Sequence, residues 1–495
     1  MGALSLKWDI TGRCNLKCKH CLVDMFGAGR RHQEITHDER LEIVDKLPPS
    51  VVQHINILGG EPTVLRDDFL ELVKKCASKA IKTTFNTNGI LLDRGFTEKV
   101  IEAGAAGIIF SVDGPGSEYH DAVRGQGTFE KTVYNLCQLT DYVHSNNIPF
   151  EVTVNTVVNA HNADVIGRMV DLCVDCGVDS LNLLPIDYAG YAADHIKELY
   201  LSDLDEIKTA ERFVKYVCQR PGKASGLNLD CRFILPPLAD YLERKYGYAL
   251  PLTRNCCGAT TTFGYIDPYG NLYPCDRVAF DFSDASFGEP GSRKTSLTDY
   301  EFYEVWNSGF VTGMFQFISN RDVYSKYIPC DHCDYLDAGF CVPCPLYALN
   351  EKEVVFQQCL FAERELGRLR LSERYSEARM NGSHYLNQYQ PRKREVHVEQ
   401  LDGLSPGSCF RKAEGIRWSM RDDHEVLFNP FSSKFYSVNP LGRRIWTLID
   451  GTSTIEDLTR RLEQEMVDPP RPETIDRDVR QFIGALLSEG LVIAI

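Results

Sequence analysis

Three cysteines near the amino terminus have the spacing that most clearly suggests chemistry in this 495-residue chain. Cys14, Cys18 and Cys21 form a C-x3-C-x2-C set, so one tight loop can direct three thiolates at a single object. Structural zinc normally takes four protein ligands. An iron–sulfur cluster that is held by three cysteines instead keeps one iron open to a small molecule. The spacing therefore favours a cluster with an open coordination position, and a chance grouping of loop cysteines is the alternative.

A larger set of cysteines lies in the middle of the chain and includes a C-x2-C-x7-C-x2-C array. Its members are Cys256, Cys257, Cys275, Cys330, Cys333, Cys341, Cys344 and Cys359. Eight thiolates could serve two sites of four ligands, and on spacing alone a two-site zinc domain remains an alternative. Cys173 and Cys176 form a further C-x2-C pair, but they lie inside a helical pattern and are predicted to be packing residues.

The first 200 residues or so alternate short apolar runs with longer amphipathic segments. The predicted strands are Leu4–Asp9, His54–Leu58, Lys82–Asn86, Gly107–Val112, Glu151–Val157 and Ser180–Leu184. The predicted helices between them are Asp38–Lys46, Asp68–Ser78, Thr97–Ala103, Thr128–Asn146 and Asn162–Cys176. This alternation predicts a parallel sheet with right-handed crossovers. Six strands are too few for a closed eight-stranded barrel, so we expect an α/β fold with an open, partial (β/α)6 barrel over residues 1–235.

Small and polar residues follow several of these strands. They are Gly59-Gly60-Glu61-Pro62 after the second strand, Asn86-Thr87-Asn88-Gly89 at the third and Ser111-Val112-Asp113-Gly114 at the fourth. The carboxyl ends of parallel strands meet at one edge of a sheet, where such folds bind ligands. Glycine lets the backbone approach a ligand closely, and Glu61 could accept a hydrogen bond from an amino group. Together with the three cysteines, these segments predict a binding pocket.

The Cys14–Cys18–Cys21 set followed by Gly59-Gly60-Glu61-Pro62 resembles the radical S-adenosylmethionine (SAM) superfamily over about residues 1–200. The resemblance implies that the three thiolates hold a 4Fe-4S cluster and that its open iron chelates the amino and carboxyl groups of SAM. It also implies a set of cofactor-binding residues: Gly59, Gly60 and Glu61 at the methionyl amino group, Ser111 and Asp113 at the ribose, Arg124 at the methionyl carboxylate, and Asn88 and Leu183 elsewhere in the pocket. A surface ion pair is the alternative for Arg124.

Beside that motif, residues 250–362 resemble the SPASM extension of the same superfamily, which implies two auxiliary 4Fe-4S clusters and three clusters in all. By that pattern the outer cluster is held by Cys330, Cys333, Cys341 and Cys359. The inner cluster is held by Cys275 and Cys344 with Cys256, Cys257 or both. Because the gaps in the array differ from the usual five and three, the division of ligands stays open. Asp276 matches a catalytic acid–base residue of the anaerobic sulfatase-maturating members, and capping or turn formation is its alternative role.

The carboxyl-terminal part changes character after a predicted helical linker over residues 363–402. Residues 403–495 predict a small α+β winged-helix unit, with strands Arg411–Met420, Glu425–Asn429, Phe435–Val438 and Leu491–Ile495 and helices Leu441–Ile449, Ile455–Glu465 and Thr474–Ser488. Phe435–Asn439, Ile445-Trp446 and Glu489–Leu491 resemble PqqD, the peptide chaperone of pyrroloquinoline quinone biosynthesis. This resemblance implies binding of the leader of a ribosomally made precursor peptide at a sheet edge. DNA binding is the alternative, but the unit lacks a strongly basic recognition helix.

Composition narrows the class of partner. The formal net charge of -15 argues against nucleic acid and against an anionic membrane surface. No signal sequence and no apolar run of membrane-spanning length is visible, so we expect a cytoplasmic protein. Eighteen cysteines in such a protein are better explained by metal binding than by disulfides. Oxygen-sensitive clusters indicate a low-oxygen environment.

The combined expectation is a peptide maturase. SAM cleavage would yield a radical that abstracts hydrogen from a core peptide, and a thioether or carbon–carbon crosslink would follow. Flavodoxin or ferredoxin would supply the electron. The alternatives are oxidation of a residue in a folded protein, as in sulfatase maturation, a decarboxylating or dehydrogenating enzyme of peptide-derived cofactor biosynthesis, and a non-catalytic iron–sulfur scaffold or electron carrier. The last is disfavoured because a carrier needs no nucleotide pocket.

Overall fold

A computed structural model of the chain describes residues 4–22, 33–187, 189–220, 226–248, 250, 257–280, 282, 285, 287–288, 293–349, 354–371, 408–413, 416–421, 424–429, 434–438, 440–465, 471–488 and 491–494. Cys256 and most of the predicted linker over 363–402 lie outside these residues.

The core of the fold is one open sheet with the strand order β7-β6-β5-β4-β3-β2-β1-β8-β9. The strand bounds are Leu4–Asp9 (β1), Val52–Leu58 (β2), Lys82–Thr87 (β3), Gly107–Ser111 (β4), Glu151–Val158 (β5), Ser180–Pro185 (β6), Asn228–Cys231 (β7), Phe263–Ile266 (β8) and Leu272–Tyr273 (β9). Strands β1 to β8 pair in parallel, and β9 returns antiparallel to β8. The outermost strands β7 and β9 do not pair with each other, so this sheet does not close.

The six predicted strands are confirmed, each to within two residues. The sheet nevertheless extends further on both sides than the sequence predicts. β7 extends it beyond β6, and β8, from the cysteine-rich region, pairs with β1. The predicted division between residues 235 and 250 therefore separates two segments that share one sheet, because β8 completes the edge next to the first strand.

Helices cover the sheet and bury their apolar stripes against it. Their bounds in the first half are His37–Lys46 (α1), Arg66–Ser78 (α2), Arg94–Glu102 (α3), Ser117–Arg124 (α4), Thr128–Ser145 (α5), Arg168–Asp175 (α6), Tyr191–Asp194 (α7), Ile196–Leu199 (α8), Asp203–Cys218 (α9) and Pro236–Tyr246 (α10). Thr36 starts α1 with a reciprocal capping box, and the side chain of Asp93 caps α3. Helix α2 buries Phe69 and Leu72 completely.

Helix α6 begins later than predicted, and the reason lies in two asparagines. The side chain of Asn162 accepts from the backbone N–H of Asn159 at 2.9 Å and donates to the carbonyl of Asp113 at 2.9 Å. Asparagine side chains that bond to nearby backbone compete with helix formation. Residues 160–167 therefore form turns, and the regular helix starts at Arg168.

The middle region is built from short elements around two small hydrophobic cores. Its bounds are Asp276–Ala279 (α11), Phe302–Trp306 (α12), Gly309–Ser319 (α13), Tyr327–Ile328 (β10), Asp334–Asp337 (α14), Val354–Val355 (β11) and Gln357–Leu366 (α15), with 3-10 turns at Arg321–Lys326, Cys330–His332 and Pro345–Leu349. The predicted domain boundary at residue 362 falls inside α15, so this helix continues past it.

Among its described residues, the carboxyl-terminal part contains two small antiparallel sheets and three helices. The first sheet pairs Phe410–Lys412 (β12) with Val492–Ala494 (β16), and the second joins Arg417–Arg421 (β13), His424–Asn429 (β14) and Lys434–Val438 (β15). The helices are Pro440–Leu448 (α16), Ile455–Glu465 (α17) and Pro472–Ser488 (α18). The single strand predicted over Arg411–Met420 is wrong, because β12 and β13 belong to different sheets. The winged-helix assignment stays a prediction.

Two further observations concern the cysteines and the membrane. Cys173 is completely buried, as its packing role predicts. Cys176 is likewise buried in the main hydrophobic core, so its packing role is confirmed, and its sulfur is paired with that of Cys137 on α5. Within the described part of the chain, no helix has the length and apolarity needed to cross a membrane.

Candidate active site

The carboxyl ends of β1 to β4 bring the predicted motifs together at one edge of the sheet. The loop after β1 carries the three cysteines of the first set, with Cys14 exposed, Cys18 buried and Cys21 half-buried. Glu34 holds the start of this loop, because its carboxylate accepts from the backbone N–H of Gly12 at 2.7 Å. The hydroxyl of Thr11 donates to the same carboxylate at 2.9 Å. Sequence reasoning missed Glu34. The only indication of its role is that it is an acidic residue shortly after the cysteine motif.

Gly59 and Gly60 let two backbones touch. The N–H of Gly60 donates to the carbonyl of Thr11 at 2.7 Å, and the N–H of Glu61 donates to the carbonyl of Arg13 at 2.9 Å. A Cβ on Gly60 would lie 2.2 Å from the Arg13 carbonyl oxygen, and one on Gly59 would lie 2.3 Å from that of Thr11. Gly59 also has φ +134°, which favours glycine. Only glycines therefore allow the cysteine loop to dock onto the end of β2.

The Glu61 carboxylate is bonded inside the protein. One oxygen accepts from the N–H and hydroxyl of Thr63 and from the hydroxyl of Thr87, and the other accepts from the N–H of Asn88 at 2.7 Å. Burial raises the pKa of Glu61, although these donors oppose that effect. A carboxylate oxygen offers about two acceptor positions, so Oε1, with three donors, is saturated, whereas Oε2 accepts from Asn88 alone and keeps one position. The expected contact of this carboxylate with an amino group stays a prediction, and in the protein itself Glu61 ties the end of β3 to the glycine turn.

Asn88 and Ser111 lie where the pocket was expected. The side-chain amide of Asn88 donates to the side chain of Asn15 at 2.8 Å and lies 4.0 Å from the sulfur of Cys14. Ser111 is half-buried at the end of β4, and its hydroxyl has no protein partner among the described residues. Asn88 thus supports the cysteine loop, and Ser111 keeps its hydroxyl free for a ligand.

Asp113 and Arg124 form a buried ion pair, in which Nε of Arg124 donates to the carboxylate at 2.6 Å. Asp113 is fully buried and also accepts from the N–H of Val157 at 2.8 Å. Burial works against both charges, yet the pair holds the pKa of Asp113 below and that of Arg124 above its ordinary value. The surface ion pair considered for Arg124 is therefore wrong, and the Asp113 carboxylate is used inside the protein.

Arg124 also reaches the cysteine loop. Its guanidinium lies 3.9 Å from the sulfur of Cys18 and 3.3 Å from Nε2 of His20. Burial lowers the pKa of His20 to about 4, so this ring is neutral near pH 7. The backbone N–H of Lys19 donates to the carbonyl of Val123 at 2.9 Å. The end of α4 therefore holds the cysteine loop at Cys18, Lys19 and His20, whereas the glycines contact it at Thr11 and Arg13.

The prediction for Leu183 is wrong. Its side chain is completely buried in the main hydrophobic core, where it lies beside Thr156 of β5. Successive residues of a strand point to opposite faces. Its neighbours Asn182 and Leu184 are half-buried and lie on the opposite face of the sheet.

That opposite face is polar, and we call it the polar face. Its members on β1 to β6 are Ser5, Lys7, Asp9, His54, Asn56, Thr84, Asn86, Ser111, Asn155 and Asn182. The amide of Asn56 donates to that of Asn86 at 3.1 Å, and Asn182 donates to Asn155 at 2.8 Å. Nδ2 of Asn86, Nδ2 of Asn155 and Oδ1 of Asn182 have no protein partner among the described residues. Sequence reasoning missed this face, although single asparagines inside apolar strands were a visible signal.

The second cysteine set divides between the two cores of the middle region. One core contains Cys330, Cys333, Cys341 and Cys359, all buried. The other is lined by Cys257, Cys275 and Cys344, all half-buried. Cys257 packs against the first core as well, so six of the seven described cysteines divide as the predicted outer and inner groups do, and Cys257 lies between them. Burial raises the pKa of the Cys333, Cys344 and Cys359 thiols and raises that of Cys14 to about 11.

These donor sets fit iron–sulfur clusters. Three thiols in one loop, with glycines that leave room for close backbone contact, suit a cluster with an open iron. Thiols with raised pKa values must lose their protons when a metal binds, so loading would depend on pH. Within the described part of the chain, no group of three or more Cys, His, Asp or Glu side chains is close enough to hold a single metal ion. The same observation applies to zinc and to iron, so the two-site zinc domain stays an alternative for the middle region.

Asp276 lies beside the inner cysteine group and is bonded to Lys7 of β1. Nζ of Lys7 donates to the carboxylate at 2.8 Å. Burial raises the pKa of Asp276, but the Lys7 charge outweighs it and holds that pKa below its usual value. Two residues along β1, burial raises the pKa of Asp9 to about 7, and the hydroxyl of Tyr265 donates to it at 2.8 Å. Neither Lys7, Asp9 nor Tyr265 was singled out from the sequence.

Comparison with known families finds two matches in this chain. Residues 8–182 match the model of the radical SAM superfamily. Residues 425–492 match the model of coenzyme PQQ synthesis protein D (PqqD).

Similar proteins include mycofactocin maturase MftC of Mycolicibacterium smegmatis, which is 27% identical over 68% of this chain and 77% of its own length. AdoMet-dependent heme synthase of Methanosarcina barkeri is 24% identical over 67% of this chain and 88% of its own. Among solved structures, Streptococcus suis SuiB bound to precursor peptide SuiA has a TM-score of 0.54 at 18% identity and covers 72% of this chain and 76% of its own. AnSMEcpe with bound AdoMet and a peptide has a TM-score of 0.53 at 16% identity over 77% of this chain and 99% of its own. The two structures share the fold of this chain.

Proposed function

Because the chain carries a radical SAM domain and a PqqD-like domain, we propose that it is a radical SAM maturase that modifies a ribosomally made precursor peptide and installs a thioether or carbon–carbon crosslink. The observation that carries this proposal is the presence of both domains in one chain. A cluster pocket alone suits many substrates, whereas a peptide-binding domain attached to it restricts the substrate to a peptide. Relatives that are maturases support the same conclusion.

Cys14, Cys18 and Cys21 would hold the SAM-binding 4Fe-4S cluster. When bound, this cluster and SAM supply a 5′-deoxyadenosyl radical that abstracts hydrogen from the peptide. Because Oε1 of Glu61 already accepts from three donors and Oε2 from one, we assign the contact with the methionyl amino group to Oε2 of Glu61 and to the backbone of Gly59 and Gly60. The Ser111 hydroxyl would bind the ribose. Asp113 would act by holding Arg124.

The polar face would bind the core peptide. Asn155 and Asn182 continue the same register row as Ser111 on the next two strands. Neighbouring strands lie about 4.8 Å apart, so Asn155 and Asn182 lie about 4.8 Å and about 9.6 Å from Ser111, a span of about three residues of an extended peptide. Their unpaired N–H and C=O groups match the acceptors and donors of a peptide backbone. The uncharged amides thus give this face affinity for peptide without requiring a charged side chain.

The cysteines of the middle region would hold the two auxiliary 4Fe-4S clusters. Cys330, Cys333, Cys341 and Cys359 would hold the outer one. Cys257, Cys275 and Cys344 would hold the inner one, with Cys256 as a further candidate. Crosslinking removes hydrogen and an electron from the substrate, and these clusters would accept the electron. Asp276, next to Cys275, would take the proton as a base.

The leader peptide would add to the sheet of β13, β14 and β15. β13 is one edge of this sheet and lies against α13. β15 is the other edge, and within the described residues it pairs only with β14. An extended peptide that adds to a free sheet edge gains main-chain hydrogen bonds. β15 is therefore the proposed leader site.

The electron donor would be an acidic protein such as flavodoxin or ferredoxin. Arg13 and Lys17 are exposed on the cysteine loop, on both sides of the exposed Cys14. The whole chain has a formal net charge of -15, so this local positive charge stands out from its surroundings. Opposite charges steer association between proteins.

A maturase that dehydrogenates or decarboxylates its peptide is the second candidate, since the similar proteins include a mycofactocin maturase and a heme synthase. Both candidates are tested by anaerobic co-expression with short peptides encoded beside the gene. A peptide mass that is two hydrogens lower supports a crosslink if fragmentation shows two residues joined and a dehydrogenation if the change lies in one residue, and loss of a carboxyl group supports decarboxylation. If the full chain forms no 5′-deoxyadenosine when it is incubated with SAM, dithionite and those peptides, that result would instead support a non-catalytic scaffold.

A further inference from the structure

The Arg124 guanidinium links a buried carboxylate to a thiol of the cluster loop. It donates to Asp113 on one side at 2.6 Å and approaches the sulfur of Cys18 at 3.9 Å on the other. Asp113 is completely buried, and Arg124 and Cys18 are each at most 9% exposed. Water cannot replace these contacts, so the arrangement is fixed by the fold.

The orientation of the pair decides its electrostatic effect at the cluster. The negative end, Asp113, is bonded to Nε of Arg124 and to the N–H of Val157, whereas a terminal nitrogen of the guanidinium approaches the sulfur of Cys18. The positive end faces the sulfur of Cys18. In a buried setting a donor directed at a charged acceptor is stronger than in water. Such a donor stabilises the more negative state of whatever the thiolate ligates.

We propose that Arg124 is a positioning residue for the SAM-binding cluster, which holds the Cys18 thiolate in place and makes the cluster easier to reduce. The step is the uptake of one electron from an external reductant, with no bond formed and no proton moved. Hydrogen bonds to the ligand sulfurs are one of the factors that set cluster potentials. The inference rests on the three-cysteine site and not on the peptide substrate, so it can fail without affecting the proposed maturase function.

A different role for Arg124, contact with the methionyl carboxylate, predicts different results. An arginine that only binds SAM changes the affinity for SAM and leaves the cluster potential unchanged when SAM is absent. An arginine that acts through Cys18 changes the potential without SAM. Measurement in the absence of SAM therefore separates the two roles.

The test uses the full chain, reconstituted anaerobically, with Arg124→Gln, Arg124→Lys and Asp113→Asn variants. Dithionite titration followed by electron paramagnetic resonance gives the midpoint of the first cluster. A Cys14→Ala/Cys18→Ala/Cys21→Ala variant supplies the background signal of any other clusters. In Arg124→Gln we expect the equilibrium constant for one-electron reduction of the first cluster to fall at least tenfold, which corresponds to a midpoint potential lower by about 59 mV or more. Arg124→Lys should lie between it and the parent chain.

Asp113→Asn gives the opposite sign. It keeps the arginine but removes the counter-charge, so the midpoint should rise. Lys19→Ala is the matched control, because it removes another positive charge of the same loop, one paired with Glu198 at the surface. Its midpoint should not move.

Parent-like midpoints in Arg124→Gln and Asp113→Asn, both with full iron content, would overturn the proposal. So would failure of all three variants to hold the first cluster, because that result assigns the pair to folding of the site. If Arg124→Gln alone fails to take up the first cluster, its midpoint cannot be measured. The lower midpoint expected of Arg124→Lys and the higher midpoint expected of Asp113→Asn then test the proposal.

Discussion

Replacing Gly60 by alanine tests the close approach of the two backbones at the site. The added Cβ would lie 2.2 Å from the carbonyl oxygen of Arg13 and 2.8 Å from that of Gly12. An unstrained contact is roughly 3.5 Å, so the cysteine loop must move by about 1 Å. Overpacking of this kind costs about 1–3 kcal/mol, which a chain of this size can tolerate. A displacement of about 1 Å at reacting groups, however, can cost about 100-fold in rate.

We therefore expect Gly60→Ala to fold but to lose SAM cleavage by about 100-fold. The assay measures iron content, thermal unfolding and 5′-deoxyadenosine formation with dithionite as reductant. Gly226→Ala is the control, since nothing lies within 4 Å of the Cβ it would add, and its activity should equal that of the parent chain. Parent-level iron and parent-level 5′-deoxyadenosine in Gly60→Ala would refute the steric reasoning, because the loop would then tolerate the extra carbon without moving.

Other parts of the site give further predictions. Burial raises the Asp9 pKa from 3.8 to about 7, so its contribution to stability is full below about pH 4 and is lost as the pH rises to about 7. The free energy of unfolding of Asp9→Asn should therefore exceed that of the parent by up to about 4 kcal/mol at pH 8 and by less at pH 5. An equal difference at the two pH values, measured by urea unfolding, would contradict this. Lys7→Met should raise the pKa of Asp276 by removing the charge that lowers it; product formation should then fall more at pH 6 than at pH 8, and a parent-like pH profile would exclude Asp276 as the base. Cys344→Ala and Cys359→Ala should each lose about four iron atoms per chain, and unchanged iron in either variant would remove that residue from the ligands.

Local patterns in the sequence were sufficient for much of the first half of the fold. All six predicted strands occur, because alternation of apolar runs with amphipathic segments reports directly on a covered parallel sheet. The contacts that complete the site join distant parts of the chain, and no local pattern encodes them. Lys7 bonds to Asp276, and Asp9 accepts from Tyr265, only because β8 pairs with β1. Several strands of the chain could pair with the free edge of β1, and the spacing of residues in the sequence does not determine which of them does.

Leu183 and Glu61 show why a motif predicts a pocket better than it predicts contacts. The strand that contains Leu183 was placed to within one residue, yet a strand has two faces and an error of one position moves a side chain from the ligand to the core. Glu61 has the residue type expected of an amino-group acceptor, but three internal donors saturate Oε1, and only Oε2 keeps an acceptor position. Its carboxylate instead ties the glycine turn to β3, while the glycines dock the cysteine loop. The Gly-Gly-Glu-Pro segment is thus required first by the packing of three chain segments around the cluster site, and any contact with SAM depends on the backbone that this packing holds in place.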